Sequence, residues 1–384
     1  MACDKPYGLR RVFIAKETAG VAGTFYELLV NNVELPKIFA EQVVIDESSG
    51  LRGDSAYVQG NINELTGTIT ISLPAAKANF LNFAPVQTLF YGAGFNTTTD
   101  SITPQNSGSC GNTFCLYTLD RTGHLAERLE NCIVTNIDFT LNRSDVPSVA
   151  FAFQGAKKYE FWGANSSTAF SSDSETVTTT AAGSFNCGLG SVSGLAAGVM
   201  PVKIDSEAAY ISAFSADNGI TFTRPLAAEH AAAVSVLPSI PPGAVEISDR
   251  IAYATNRSWN VLADGNAPDL KIQSASLSIE TGMSYGELIV GHSYLSEVLV
   301  GTLNATGSFT VYVDSAAGAA AAGKINDSGA SYAIVIGGYK IVLPKLVFSE
   351  PPDLSLAKNE PASGDFAFKA FNDSGFDLVS LAAA

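Results

Sequence analysis

One stretch of the chain has the spacing of a phosphate-binding loop. Gly318, Gly323 and Lys324 stand where such a loop has its glycines and lysine, and the stretch follows a predicted strand. In a true loop, a Ser or Thr after the lysine holds a magnesium ion, whereas here the next residue is Ile325. Residues 326–329 are turn-forming where a helix should begin. We interpret the stretch as an Ala/Gly-rich connection and predict no nucleotide cofactor.

The other residues capable of chemistry are scattered along the sequence. Three histidines have neither the spacing of metal ligands nor a companion Cys or carboxylate motif: His124, His230 and His292. The carboxylate pairs Asp46–Glu47 and Asp205–Glu207 have no evident partner, and no Gly-x-Ser-x-Gly motif occurs. The sequence therefore predicts no catalytic, metal or cofactor site, and we expect a protein that is not an enzyme.

Five cysteines form an odd set without a Cys-x-x-Cys pair: Cys3, Cys110, Cys115, Cys132 and Cys187. Cys110 and Cys115 could form a disulfide across a Ser/Gly/Asn-rich stretch, but reduced thiols from cytosolic folding are the interpretation that we adopt. Residues 1–7 lack the apolar core of a signal peptide, and no run reaches the length of a membrane span. We expect folding in a cytosol and no membrane association.

The composition limits the class of protein. Hydrophobic residues make up 46% of the 384 residues, which excludes general disorder, while only 15% are charged, which is low for a free-standing cytosolic enzyme. The 37 acidic residues exceed the 22 basic ones, giving a net charge of -15. Nucleic-acid binding needs clustered Lys and Arg, so this balance argues against a clamp on DNA. An acidic wall instead fits a conduit through which DNA slides.

A β-rich unit occurs twice in the sequence. Residues 65–73 and 305–313 both alternate polar and apolar side chains, the pattern of a strand with one buried face. A second pair of similar segments lies upstream, and a third lies downstream: Val43–Asp46 with Leu277–Glu280, and Phe151–Gln154 with Phe366–Lys369. A repeated unit without a catalytic motif is typical of a protein that builds an assembly.

These landmarks divide the chain into three parts. We predict a first unit over residues 1–163 and a second unit over residues 245–384. Between them, the connecting segment, residues 164–244, is rich in Ser, Thr and Gly. Within it we predict a hairpin over residues 208–224 and a short helix over residues 226–236.

Two further predictions concern the first unit. Residues 74–81 begin with Pro, which suits the first turn of a short helix. Residues 95–123 are rich in Thr, Ser, Asn and Gly and predict a long exposed loop.

Each unit also has a polar loop between its first two landmarks. The loops cover residues 47–60, which contain an Arg-Gly-Asp tripeptide of negligible specificity, and residues 281–293. Mobile loops at the same place in both units are candidates for contacts between assembled rings. The residues that we predict for these contacts are Ser49, Leu51, Arg52, Asp54, Met283, Tyr285 and Glu287.

The order of these segments resembles the phage tail tube proteins, a family that extends to the type VI secretion tube. The resemblance rests on Val43–Asp46, the strand over residues 65–71 with the helix predicted after it, and the closing pair over residues 137–143 and 149–153. It implies a mainly β fold of two tandem β-sandwich tube domains, each with a short flanking helix. In the family, six such domains close a ring with a β-barrel inside, and rings stack into a hollow tube for DNA. Two units per chain imply a pseudo-hexameric ring of three chains.

The same resemblance implies the partners and the location. We expect the major tail tube subunit of a long-tailed phage, assembled in the host cytoplasm and located in the virion tail. It would contact tape measure, tail terminator and baseplate proteins, and DNA would pass through without specific binding. Two alternatives stay open: another virion or surface structural protein, such as a capsid decoration, fibre or S-layer subunit, or a carbohydrate-active enzyme or lectin. The last would need clustered aromatic residues and paired carboxylates in one set of loops.

Overall fold

The computed structural model consists of antiparallel β-sheets with one α-helix in the part of the chain that it describes. The described residues are 10–18, 20–36, 40–46, 55–62, 65–105, 112–165, 169, 171–173, 176–178, 185–187, 200–205, 207–214, 219–248, 251–263, 271–286, 297–313, 331–348, 362–372 and 377–384. The predicted mainly β fold is confirmed.

The described residues of the first unit form thirteen strands and an α-helix. They are β1 (Arg10–Thr18), β2 (Val21–Ala22), β3 (Tyr26–Leu28), β4 (Asn32–Glu34), β5 (Ala40–Asp46), β6 (Ser55–Ile62), β7 (Leu65–Ser72), α1 (Ala84–Gly92), β8 (Phe95–Thr97), β9 (Ser101–Pro104), β10 (Thr113–Asp120), β11 (Ala126–Asn142), β12 (Ser148–Gly155) and β13 (Lys157–Phe161).

The helix predicted at residues 74–81 is wrong in position. Only a single 3-10 turn, Lys77–Asn79, lies there, and α1 begins at Ala84 with Pro85 in its first turn. Pro74 is instead extended and forms a bridge to Tyr253. The second unit's corresponding stretch, residues 314–330, lies outside the described residues, and so does any test of the helix predicted for that unit.

The connecting segment forms a sheet of its own. Its strands are β14 (Ala164–Asn165), β15 (Thr176–Thr178), β16 (Phe185–Cys187), β17 (Met200–Ile204), β18 (Glu207–Phe214), β19 (Gly219–Phe222) and β20 (Ser235–Pro238). Six of them pair in the order β14-β20-β17-β18-β19-β15, while β16 pairs with β13. The hairpin predicted over residues 208–224 is confirmed by the antiparallel pairing of β18 with β19. The helix predicted over residues 226–236 is wrong, since Ala233 has φ of 63° and a strand begins at Ser235.

The part of the second unit that the structure describes forms ten strands. They are β21 (Trp259–Ala263), β22 (Lys271–Glu280), β23 (Met283–Tyr285), β24 (Val298–Val300), β25 (Asn304–Val313), β26 (Tyr332–Ile336), β27 (Tyr339–Leu343), β28 (Lys345–Phe348), β29 (Ala362–Phe371) and β30 (Ser380–Ala383).

Strands from both units join in one central sheet, in the order β4-β7-β12-β11-β22-β25-β29-β28. The long strand β11 connects it to an outer sheet. Residues 126–130 of β11 pair with β13 and, in part, with β10. Residues 133–140 pair with β12, and residues 136–142 pair with β22. The two units are thus hydrogen-bonded to each other through β11 and β22.

The two units use their strands in the same order. The series β7-β12-β11 of the first unit corresponds to β25-β29-β28 of the second, and β1-β10-β11-β13 corresponds to β21-β26-β27-β30. Gly67 lies opposite Phe153, and Gly307 lies opposite Phe368. The first of the three landmark pairs differs from its prediction: Val43–Asp46 pairs with β6, and β4 holds the place of β22.

Two hydrophobic cores lie on opposite sides of β1 and β10. Phe114 and Leu116 belong to the main core beneath the central sheet, whereas Cys115, Tyr117 and Leu119 belong to a second core under the connecting segment. The exposed loop predicted for residues 95–123 is therefore wrong, because β10 is buried on both faces and lacks the polar alternation that marks a half-exposed strand. Cys115 is a free thiol on this buried strand, and Cys110 lies outside the described residues.

The close packing at Gly307 gives a test of the pairing of β25 with β22 and β29. A Cβ there would lie 2.2 Å from the carbonyl oxygen of Ser276 and 2.4 Å from the ring of Phe368. We expect Gly307→Ala to lower the free energy of unfolding by about 2 kcal/mol or more, measured by denaturant unfolding. Gly286→Ala is the control, since its nearest neighbour would be 3.8 Å away. Equal stability of the two variants would contradict the packing described.

Candidate functional surface and hairpins

One face of the central sheet is covered with short polar side chains. Strands β7, β11, β22 and β25 alternate, so that Ile69, Ile137 and Ile279 enter the main core while their neighbours point away from it. The outward residues on these strands are Thr66, Thr68, Thr70, Ser72, Asn136, Asp138, Thr140, Asn142, Ser274, Ser276, Ser278, Glu280, Thr306, Ser308 and Thr310. We call this surface the polar face.

Side chains of the polar face bond to one another across strands. The hydroxyls of Ser276 and Ser308 lie 2.8 Å apart, Ser274 donates to Thr310 at 2.7 Å, and Thr310 donates to Asp365 at 2.7 Å. Asn136 connects the two units by donating to Ser278 at 3.2 Å. Because these side chains are short and partly paired with each other, the surface offers few free donors to a passing ligand.

The charges of the polar face are mostly negative. Its described acidic residues are Glu34, Asp138, Glu280 and Asp365, and its described basic residues are Lys345 and Lys369. The centre of the face is a shallow hollow of about 680 Å³, lined by residues such as Asp138, Ser278 and Thr306. A surface with two scattered lysines lacks the basic cluster that tight phosphate binding requires.

The histidines contribute no metal centre in the described residues, where no group of three or more suitable ligands occurs. His230 is nevertheless not isolated, contrary to the prediction. Its Nδ1 lies 2.9 Å from Asp205, and its Nε2 lies 3.5 Å from Glu207, which also accepts the backbone N–H of Ala227 at 2.8 Å. These contacts fasten residues 227–230 to β18, a structural role that the Asp-x-Glu spacing alone does not reveal. His292 lies outside the described residues.

Both polar loops predicted to contact neighbouring rings belong to β-hairpins. The hairpin β5–β6 is inserted between β4 and β7, and the hairpin β23–β24 is inserted between β22 and β25. Both leave the same end of the central sheet, because Glu34 and Glu280 lie in one cross-strand row with Thr68, Ala152 and Asn136. The predicted contact residues Ser49, Leu51, Arg52, Asp54 and Glu287 lie outside the described residues.

The other two predicted contact residues lie at the base of a hairpin. Met283 is 4% exposed and therefore packs inside the protein, so its prediction as a surface contact is wrong. Tyr285 is half-buried, and its hydroxyl donates to the carbonyl oxygen of Asn131. Burial raises the pKa of this phenol, which stays protonated. Leu299 and Val300 on the opposite strand are the exposed apolar residues of this hairpin, which the sequence analysis missed.

A cluster of buried charges surrounds the point where β11 changes sheets. Lys158 is 3% exposed and pairs with Glu127 at 2.7 Å and with Glu160 at 2.6 Å. Glu127 also accepts a hydrogen bond from Arg10. Nearby, Arg128 pairs with Glu130 at 2.8 Å. Buried ions are stable only when paired in this way.

Glu17 lies at the edge of this cluster, and one of its carboxylate oxygens has no hydrogen-bond partner among the described residues to offset its burial. Burial raises the pKa of Glu17 to about 7, although hydrogen bonds from Thr113 and from the backbone N–H of Asn131 act in the opposite direction. The distance from that N–H to the carboxylate is 2.9 Å. Glu17 therefore titrates near neutral pH.

Comparison with known proteins gives one match. A family model described as "Phage tail tube protein" matches residues 9–370, which is nearly the whole chain. A search among curated proteins gives no significant match. Among the described residues, no helix has the length and apolar character needed to cross a membrane.

The raised pKa of Glu17 predicts a pH-dependent stability. The folded protein holds this proton up to about pH 7, whereas the unfolded chain releases it near the ordinary value of 4.5. The contribution of the neutral Glu17 side chain to the free energy of unfolding is thus fully present below about pH 4.5, and it is lost as the pH rises through 7. We expect Glu17→Gln to raise the free energy of unfolding at pH 8 by up to about 3 kcal/mol, and to have little effect near pH 4.5.

Glu27→Gln is the matched control for this pH profile. Burial alone would raise the pKa of Glu27, but the hydrogen bonds from Arg11 and Ile247 lower it. Its replacement should therefore destabilise the protein to a similar extent from pH 8 to pH 4.5, because the stability that a lowered pKa contributes is lost only below the ordinary value of 4.5. Denaturant unfolding from pH 4.5 to pH 8 measures both variants, and a pH-independent effect of Glu17→Gln would contradict the burial argument.

Proposed function

The chain belongs to the phage tail tube protein family, and we propose that it is the major tail tube subunit of a long-tailed phage. In this proposal three chains close a ring, rings stack into a hollow tube, and the tube conducts DNA out of the virion. The role is structural and needs no catalytic residue.

The observation that carries the proposal is the junction of β11 with β22. Residues 136–142 of the first unit pair antiparallel and without a break with residues 274–280 of the second. The same strand order in both units supports an internal duplication of one tube domain. On this proposal, the pairing of β11 with β22 inside one chain has the same form as the pairing between neighbouring domains of two different chains in the ring.

The ends of the central sheet supply the contacts between chains. Strands β4 and β28 terminate the sheet, and each has one edge without a partner strand among the described residues. Such edges promote uncontrolled pairing unless another strand covers them. Closure of three chains would pair every edge in one β-barrel, with two tube domains per chain giving six around the ring.

The polar face is the surface that we assign to the lumen. The other face of the central sheet is covered by the main core, then by β1 and β10, and then by the connecting segment. Of the two faces of the central sheet, the polar face is the one that the described residues leave uncovered, so it could line a channel. Its short, mutually bonded hydroxyls and its acidic excess would let a polyanion slide past without firm attachment.

The two hairpins are the elements that we assign to stacking. They leave one end of the sheet, so they would reach the opposite end of the next ring in a head-to-tail contact. A heterologous contact of this kind repeats without limit and produces a filament. The proposed contact residues are Ser49, Leu51, Arg52, Asp54 and Glu287, which lie outside the described residues, together with the exposed Leu299 and Val300.

Further partners follow from the place of such a tube in the virion. We propose that the ends of the tube contact a tail terminator and a baseplate, that a tape measure protein occupies the lumen during assembly, and that assembly takes place in the host cytoplasm.

Ring stoichiometry tests the pseudo-hexamer. We expect native mass spectrometry of isolated rings to give three chains, and a reconstruction of the tube to give a six-domain barrel with only three-fold symmetry outside. Six chains per ring would refute the pseudo-hexamer while leaving the tube itself intact.

DNA binding tests the lumen. Wild-type tubes should bind duplex DNA weakly at near-physiological salt, because the polar face lacks clustered cations. Glu280→Lys changes a lumen position and should raise affinity several-fold at low salt, with a steeper salt dependence. Glu229→Lys, in the exposed part of the connecting segment, is the control and should bind DNA as the wild type does. Tight, salt-sensitive binding by wild-type tubes would favour a DNA-coating protein.

A further inference from the structure

Strand β11 presents several backbone carbonyls to the second unit where it changes sheets. Asn131 has φ of 52°, in the left-handed region, and the register with β12 shifts between Val134 and Asn136. A buried carbonyl without a partner costs free energy, so each of these groups needs a donor. Residues just after β22 supply the donors.

Two side chains of the second unit meet this need. The hydroxyl of Thr281 donates to the carbonyl of Val134 at 2.7 Å, and its backbone N–H donates to Thr135 at 3.1 Å. The hydroxyl of Tyr285 donates to the carbonyl of Asn131. The base of the hairpin β23–β24 is thereby fixed to the bend of β11 at three carbonyls.

The same base is closed tightly on itself. Gly301 donates its N–H to the carbonyl of Gly282 at 2.7 Å. Gly282 has φ of 68°, and a Cβ there would lie 2.6 Å from the carbonyl oxygen of Thr302. The hairpin therefore has little freedom to turn about its base, and its direction follows that of β11.

The other hairpin is fixed to the same region. Pro36 lies between β4 and β5, and its carbonyl accepts a hydrogen bond from the buried ammonium of Lys158 at 2.5 Å. Lys158 is held in turn by Glu127 on β11 and by Glu160 on β13. The entrance to β5–β6 and the base of β23–β24 are thus both fixed by buried polar contacts to β11 or to a lysine that β11 holds.

We propose that these two sets of buried contacts to β11 set the direction of the hairpins, with Thr281, Tyr285 and Lys158 as positioning residues for ring stacking. The inference rests on the proposed stacking role of the hairpins. Hairpins held in advance lose less conformational entropy when the next ring docks, so loosening these contacts weakens stacking without removing any contact residue.

Tyr285→Phe tests the proposal, because it deletes one hydroxyl and leaves the ring in place. Hydrogen exchange of the amides in residues 283–286 and 297–300 of the unassembled chain should become about three- to tenfold faster. Rings should form normally, but the tubes grown from them should be shorter.

Tyr117→Phe is the matched control. Its hydroxyl also donates to a backbone carbonyl, that of Ser239, at 2.7 Å, but under the connecting segment. It should leave hairpin exchange and tube length unchanged. Thr281→Val should reproduce the effect of Tyr285→Phe, and Thr281→Ser, which keeps the hydroxyl, should restore wild-type exchange.

Deletion of residues 49–54 separates the two proposals. If this deletion stops tube growth and Tyr285→Phe loosens the hairpin and shortens tubes, both proposals stand. If Tyr285→Phe speeds hairpin exchange but neither change affects tube growth, Tyr285 does hold the hairpin in place, and the proposed role of the hairpins in stacking is wrong. Unchanged hairpin exchange in Tyr285→Phe, or an equal change in Tyr117→Phe, would overturn the positioning role.

Discussion

The structure depends on one strand that belongs to two sheets. β11 runs from the outer sheet of the first unit into the central sheet, and its backbone must change hydrogen-bond partners on the way. That change helps to place the main core, which lies between the two sheets joined by β11 and is also lined by the sheet β21-β26-β27-β30-β9-β8. It also exposes the carbonyls that bind the second unit through Thr281 and Tyr285. The bend of β11 thus affects the main core, the pairing between the two units and the hairpins.

Alternation of buried and exposed side chains explains what the sequence can predict. Strands β7 and β25 each have one buried face, so the alternation of polar and apolar residues is visible in their sequences. The predicted bounds of both strands agree with the structure to within one residue. β10 was missed because both of its faces are buried, and no polar alternation marks it. Its Thr113 and Thr118 are buried despite their polarity.

Contacts between distant residues explain what sequence reasoning missed at the candidate site. The polar face combines hydroxyls from four strands, and no single strand shows that they meet. Met283 looked like a loop residue because nothing in residues 281–293 indicates the bend of β11 beneath it. His230 looked isolated because Asp205 and Glu207 precede it by more than twenty residues and meet it only through the fold. Local sequence patterns are therefore sufficient to predict strands, whereas the candidate site depends on contacts between residues that are distant in the sequence.

The connecting segment fits the proposed ring because of the side on which it packs. Its sheet covers the second core, on the far side of β1 and β10 from the polar face. Tyr117 donates to the carbonyl of Ser239 in the segment, and Arg11 binds Glu246 two residues beyond it, so the end of the segment is held against the first unit. An insertion on the polar face would obstruct a channel, whereas one on the outer side adds only to the exterior. In the proposed ring the barrel therefore keeps six similar domains, while the three connecting segments make the outer surface three-fold.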